Sequence, residues 1–188
     1  MAAWIWVIIA IAALIVVCAL AWGAWRRRRS VALRQRFGSE YDRTVTAQGD
    51  RRRAESELDA RRKRREKLDI RPLTPAARQR YGEEWKSVQA RFVDDPGASV
   101  RQADVLVMSV MRDRGYPMER FDQRSADISV DHPNVVQNYR AAHGISMAND
   151  HGKAGTEDLR QAMVHYRSLF DELLSTGEDE QEIRREAR

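Results

Sequence analysis

All four histidines fall in the last third of the chain, at 132, 143, 151 and 165, and Asp131 and Asp150 stand beside two of them. Imidazole with carboxylate is the donor set of a zinc-type centre. The spacing speaks against one, because no two histidines lie four apart on a helix and no cysteine ligand is near. His132 reads as a helix-start residue, His151 as a loop residue and His165 as a flank of Tyr166. His143, one turn after Tyr139, reads as a polar spot within packing. Glu83 and Glu84 point apart on a helix, and Asp94 and Asp95 sit at a turn, so neither pair is an acid–base dyad. No glycine-rich phosphate loop and no nucleophile elbow is present. No enzyme activity and no cofactor is expected. The polar stretch Ser129–Asn134 resembles a functional loop, but Pro133 demands a turn there, and a helix cap is the reading favoured.

The other chemistry is that of arginine, which supplies 29 of the 33 basic side chains. Residues 26–71 carry 17 basic and 8 acidic groups, net +9, whereas residues 72–188 are net −4. Two runs stand out: Arg26, Arg27, Arg28, Arg29, and Arg61, Arg62, Lys63, Arg64, Arg65. A solvated helix face is the simplest account of the second run. Both runs are candidates for contact with anionic phospholipid, at about 1 kcal/mol per basic residue near the surface. Nucleic acid is the lesser alternative: a basic cluster supplies only the unspecific phosphate attraction, and no aromatic residue interleaves the second run as a stacking platform would need.

These residues need elements to position them. Ala2–Trp25 is 24 residues without a charge, about 36 Å as a helix against a hydrocarbon core of about 30 Å. Trp4 and Trp6 at one end and Trp22 and Trp25 at the other are placed as membrane-interface anchors. Residues 1–25 are therefore predicted as a transmembrane helix. A cleavable signal peptide is the rival, but no basic residue precedes the apolar run, which is long for that role. The single cysteine, Cys18, excludes an internal disulfide. The tetra-arginine after Trp25 places the C-terminal domain in the cytoplasm and the N-terminus outside, as a single-pass inner-membrane protein.

Residues 26–71 are predicted as a basic helical stalk. Leu33, Phe37, Tyr41 and Val45 recur every four residues, and Gly38 and Gly49 are expected to weaken the helix without ending it. From residue 72 the composition changes. Thr74-Pro75, Asp95-Pro96 and His132-Pro133 each place a proline where a helix can start, and Thr156-Glu157-Asp158 is a capped acidic start. Apolar stripes follow: Tyr81, Trp85, Val88, Phe92; then Val100 to Met111; then Val135 to Ala142; then Leu159 to Leu173. Gly115, Gly144 and Gly177 read as stops. The predicted fold class is all-α: a transmembrane helix, a stalk, a small four-helix bundle over 72–175 and a charged tail over 176–188. Residues 118–130 are expected to be a connection.

The segments Trp85 to Asp95-Pro96, Ala103-Asp104 to Met111, Ser129 to Pro133 and Thr156 to Met163 resemble a helical module of uncharacterised single-span proteins from GC-rich actinobacteria. The resemblance covers about residues 73–174 and implies architecture and bacterial origin, with no activity. The functional expectation is a membrane-anchored interaction or scaffold protein that docks a protein partner or itself. The alternatives are a nucleic-acid tether through Arg51–Arg53 and Arg61–Arg65 of the basic stalk and a metal-binding, hydrolase-like bundle using the histidines.

Overall fold

The computed structural model describes the backbone of residues 3–186 and the side chains of residues 4, 8, 11 and 14–175. Among the described residues there are eight helices and no strand: α1 Ala3–Phe37, α2 Ser39–Gln48, α3 Arg51–Arg65, α4 Pro75–Arg91, α5 Pro96–Asp113, α6 Phe121–Asp131, α7 Val136–Asp150 and α8 Thr156–Glu186. The chain divides into two units, residues 1–59 and 60–188, with the division falling inside α3.

The expected transmembrane helix is not borne out. No helix among the described residues is long and apolar enough to cross a membrane. The helix does not end at Trp25 but carries Arg26–Arg29 in its interior and continues to Phe37. The single-pass inner-membrane placement, with the N-terminus outside and the rest cytoplasmic, falls with the span.

In the first unit the glycines end helices instead of merely weakening them. Gly38 (φ 48°) closes α1, and Gly49 (φ 64°) closes α2 in the left-handed conformation, its N–H donating to Val45 O. Glycine reaches that conformation without a Cβ penalty. α2 therefore doubles back along α1, and α3 returns in the direction of α1. Leu33, Phe37 and Tyr41 of the four-residue stripe are buried, as are Ala54 and Leu58 of α3. The stripe is the inner face of a helical hairpin, and the expected stalk is folded.

The second unit holds the main core, drawn from α4, α5, α7 and α8 with Leu73, Tyr116 and Ile128. α8 packs on α5 and α7, and α4 packs on α5. The Trp85 and Phe170 rings stack at 4.7 Å, joining the first and last apolar stripes. Two of the expected helix starts form with their caps: Thr74 accepts from Ala77 N at 3.2 Å and Asp95 from Ala98 N at 2.9 Å, each before a proline in the first turn.

Among the described residues five helices, α4–α8, follow the end of α3 in this unit, where four were expected. The extra one, α6, lies where a connection was predicted. Its buried residues are Arg124, Ser125, Asp127, Ile128, Ser129 and Val130, so no apolar stripe announces it. His132 ends α6 and does not start α7, which begins at Val136. Gly144 lies inside α7, and α8 runs through Gly177 to Glu186.

Candidate anion-binding site

One carboxylate, Glu55, ties together all three helices of the first unit. Glu55 Oε1 accepts from Ser30 Oγ at 2.5 Å, Tyr41 OH at 2.8 Å and Arg51 Nε at 3.0 Å. Arg51 also donates to Tyr41 OH at 3.0 Å and to Ser30 Oγ. Burial works to raise the Glu55 pKa, but the bonds from Ser30, Tyr41 and Arg51 outweigh it and hold the group below its ordinary value. Glu55 therefore stays ionised, and one residue from each helix is tied to it. A second tie joins Arg29 to Asp59 at 2.8 Å.

This arrangement brings two sets of arginines together. Arg26 and Arg27 of α1 and Arg51 and Arg52 of α3 line one cleft of about 380 Å³, with Gly23, Ser30, Asp50 and Glu55 completing its wall. A second cleft of about 370 Å³ shares Arg26, Arg52 and Glu55 and is bordered by Trp22, Trp25 and Arg29. Trp22 and Trp25 are exposed, and the Arg29 guanidinium lies 5.7 Å from the Trp25 ring centre. Among the described residues Arg26, Arg27 and Arg52 form no ion pair, whereas Arg51 is paired with Glu55.

The remaining sequence candidates lie elsewhere. Arg28 is exposed on α1, as is Trp4; the Trp6 side chain lies outside the described residues. The second basic run meets acids and a hydroxyl. Arg61 donates to Ser129 Oγ at 3.5 Å, Arg62 pairs with Glu66 at 2.6 Å, Arg64 approaches Asp127 at 3.8 Å, and Arg65 pairs with Asp131. Lys63 also has an interaction. Arg61, Arg64 and Arg65 thus face α6.

The Ser129–Asn134 stretch is a stitched helix end. Asp131 Oδ2 accepts from Tyr116 OH at 2.9 Å as well as from Arg65. Burial, reinforced by Asp131, pushes the Tyr116 phenol well up, so it remains a donor. Ser129 Oγ donates to Ala126 O at 2.6 Å within its own helix, and His132 Nδ1 is 3.2 Å from Glu172 Oε1. Serine, histidine and aspartate are neighbours here, yet no hydrogen bond links the serine to the histidine, as nucleophilic catalysis would need. The His132 side chain is wholly buried, and burial, aided by Arg114 and opposed by Glu172, lowers its pKa. His143 stacks on Phe121 at 3.7 Å, and exposed His151 contacts Met147 O at 2.6 Å. Among the described residues no group of three or more histidine, cysteine or acidic side chains is arranged to hold a metal ion.

Arg26–Arg29 were expected lipid contacts, whereas Arg51 and Arg52 were expected only as part of a nucleic-acid contact, Arg51–Arg53, and not beside Arg26 and Arg27. The signal available for them was Gly49, whose turn brings the start of α3 beside α1. No family model, curated protein or solved structure matches the chain.

Proposed function

We propose that this protein is a non-catalytic helical scaffold whose first unit adheres to anionic phospholipid by surface contact, without insertion. The observation that carries this reading is the convergence of Arg26, Arg27, Arg51 and Arg52 on one cleft beside exposed Trp22 and Trp25. Basic residues close to an anionic leaflet contribute about 1 kcal/mol each. Tryptophan, with an apolar body and a polar N–H, suits the headgroup layer. Arg61, Arg64 and Arg65 contribute less to this reading than Arg26–Arg29, since their guanidinium groups are engaged with α6.

The test is flotation of the full-length chain with vesicles of neutral lipid alone or with added phosphatidylglycerol. Retention on the anionic vesicles only, weakening as salt rises, supports the reading. Equal behaviour on both compositions overturns it. So does retention of duplex DNA at physiological salt with no retention of vesicles, which would assign the arginines to nucleic acid.

A further inference from the structure

We infer that the cleft between α1 and the start of α3 is a site for a phosphomonoester group. This rests on the proposed attraction of the first unit to anions and narrows it to a ligand class.

Charge is the first argument. The wall holds four arginines and two acids, Asp50 and Glu55, a balance of +2. Both acids are committed to the fold: Asp50 accepts from Arg52 N at 2.7 Å, capping α3, and Glu55 accepts from Ser30, Tyr41 and Arg51. Glu55 holds Arg51, while Arg26, Arg27 and Arg52 form no ion pair among the described residues. A phosphomonoester carries about −1.5 to −2 near neutral pH, which matches that balance, whereas a phosphodiester carries a single charge. The α3 N-terminus is occupied by its own cap and is not counted among the ligand donors.

Shape is the second. A volume of about 380 Å³ falls in the range of small-ligand sites, about 300–1,000 Å³, and accommodates a headgroup-sized molecule. A diffuse basic face would need no such concavity. Guanidinium presents a planar fork that binds phosphate oxygens in pairs, and here forks come from two helices. The scaffold beneath them is fixed, because Ser30 is buried and bonded to Glu55. A terminal phosphate could come from a lipid headgroup or from a small soluble molecule; the chemistry recognised is the same.

The experiment uses the full-length chain with three probes: phosphatidic acid vesicles, phosphatidylglycerol vesicles matched for net charge, and soluble glycerol 3-phosphate. Arg26→Gln with Arg52→Gln removes two forks. Gly23→Met fills the cleft and keeps every charge, since a Cβ at Gly23 meets nothing within 4 Å. Arg28→Gln with Arg53→Gln is the charge-matched control outside the lining. The expected result is preference for the phosphomonoester vesicles. Removing the two forks should weaken this binding about tenfold or more, as for loss of charged hydrogen bonds. Gly23→Met should weaken it too, and the control pair should affect it less. Saturable binding of glycerol 3-phosphate without lipid, lost in Gly23→Met, supports a soluble ligand; preference on vesicles alone supports a lipid headgroup. Equal binding to both charge-matched vesicles, indifferent to Gly23→Met, overturns the site while leaving surface adhesion intact. Binding to no anionic probe overturns both.

Discussion

Replacing Gly115 with alanine should be among the most damaging single-methyl changes in the second unit. Gly115 follows the end of α5 at φ 95°, a conformation that costs an L side chain about 1–2 kcal/mol. A Cβ there would sit 2.3 Å from Asp69 O, a backbone atom with no rotamer to move. The two segments are held together by Arg71 N donating to Arg114 O at 2.9 Å. Relief of the clash must break or stretch that bond, worth about 0.5–1.5 kcal/mol. The combined loss is about 1.5–3.5 kcal/mol, from the left-handed penalty and the lost bond together. For a chain of this size that lowers the thermal midpoint by about 2–4 °C per kcal/mol. Urea and thermal melts of the full chain measure it, with Gly144→Ala as the internal contrast. Gly144 lies inside α7 and its Cβ would meet nothing within 4 Å, so alanine there should stabilise by about 0.5–1 kcal/mol. If Gly115→Ala melts with the wild type, the approach of residue 69 to the α5 turn is wrong.

Two further outcomes follow from the core and from titration. Trp85→Ala should cost about 3–5 kcal/mol, since the ring is buried and stacked on Phe170; an unchanged urea midpoint would refute that packing. Stability should fall as pH drops below about 6.5, the ordinary histidine value, because the unfolded chain takes protons that native His132 and His143 refuse. His132→Gln with His143→Gln should flatten urea-melt stability between pH 7 and about 5, and an unaltered slope would contradict it. Glu55, depressed in the fold, adds a loss at lower pH, as stability falls through its native value. Asp127, raised by burial, acts oppositely in its own window above 3.8, where the native state takes the proton first.

The bundle was legible wherever burial is apolar. Thr74 and Asp95 cap the helices that their prolines announce, and the Trp85 and Phe170 stripes meet as their spacing implies. Helix α6 was not legible, because its partners for Asp127, Ser129 and Asp131 are arginines more than sixty residues earlier in the sequence. Charged residues that pair only in three dimensions leave no periodic trace, so Arg61–Arg65 read as a solvated or lipid-facing run. Gly38 and Gly49 show the complementary difficulty. A glycine inside a helical pattern either costs about 1 kcal/mol or ends the helix, and only the packing of Leu33, Phe37 and Tyr41 decides which. The apolar N-terminus misled for a related reason: the charge-free run reads as a span of its own, whereas it is the first part of a helix that carries Arg26–Arg29 in its interior and continues to Phe37.

Arg26, Arg27 and Arg52 carry the proposed binding of anionic phosphate. Its most direct test is the vesicle affinity of the full chain against the triple variant Arg26→Gln, Arg27→Gln and Arg52→Gln at physiological salt. Binding to anionic vesicles should drop on the order of a hundredfold in the variant, at about 1 kcal/mol per arginine. The thermal midpoint should be unchanged, because these three exposed guanidiniums form no ion pair among the described residues. Equal affinity of wild type and variant for the anionic vesicles would contradict it.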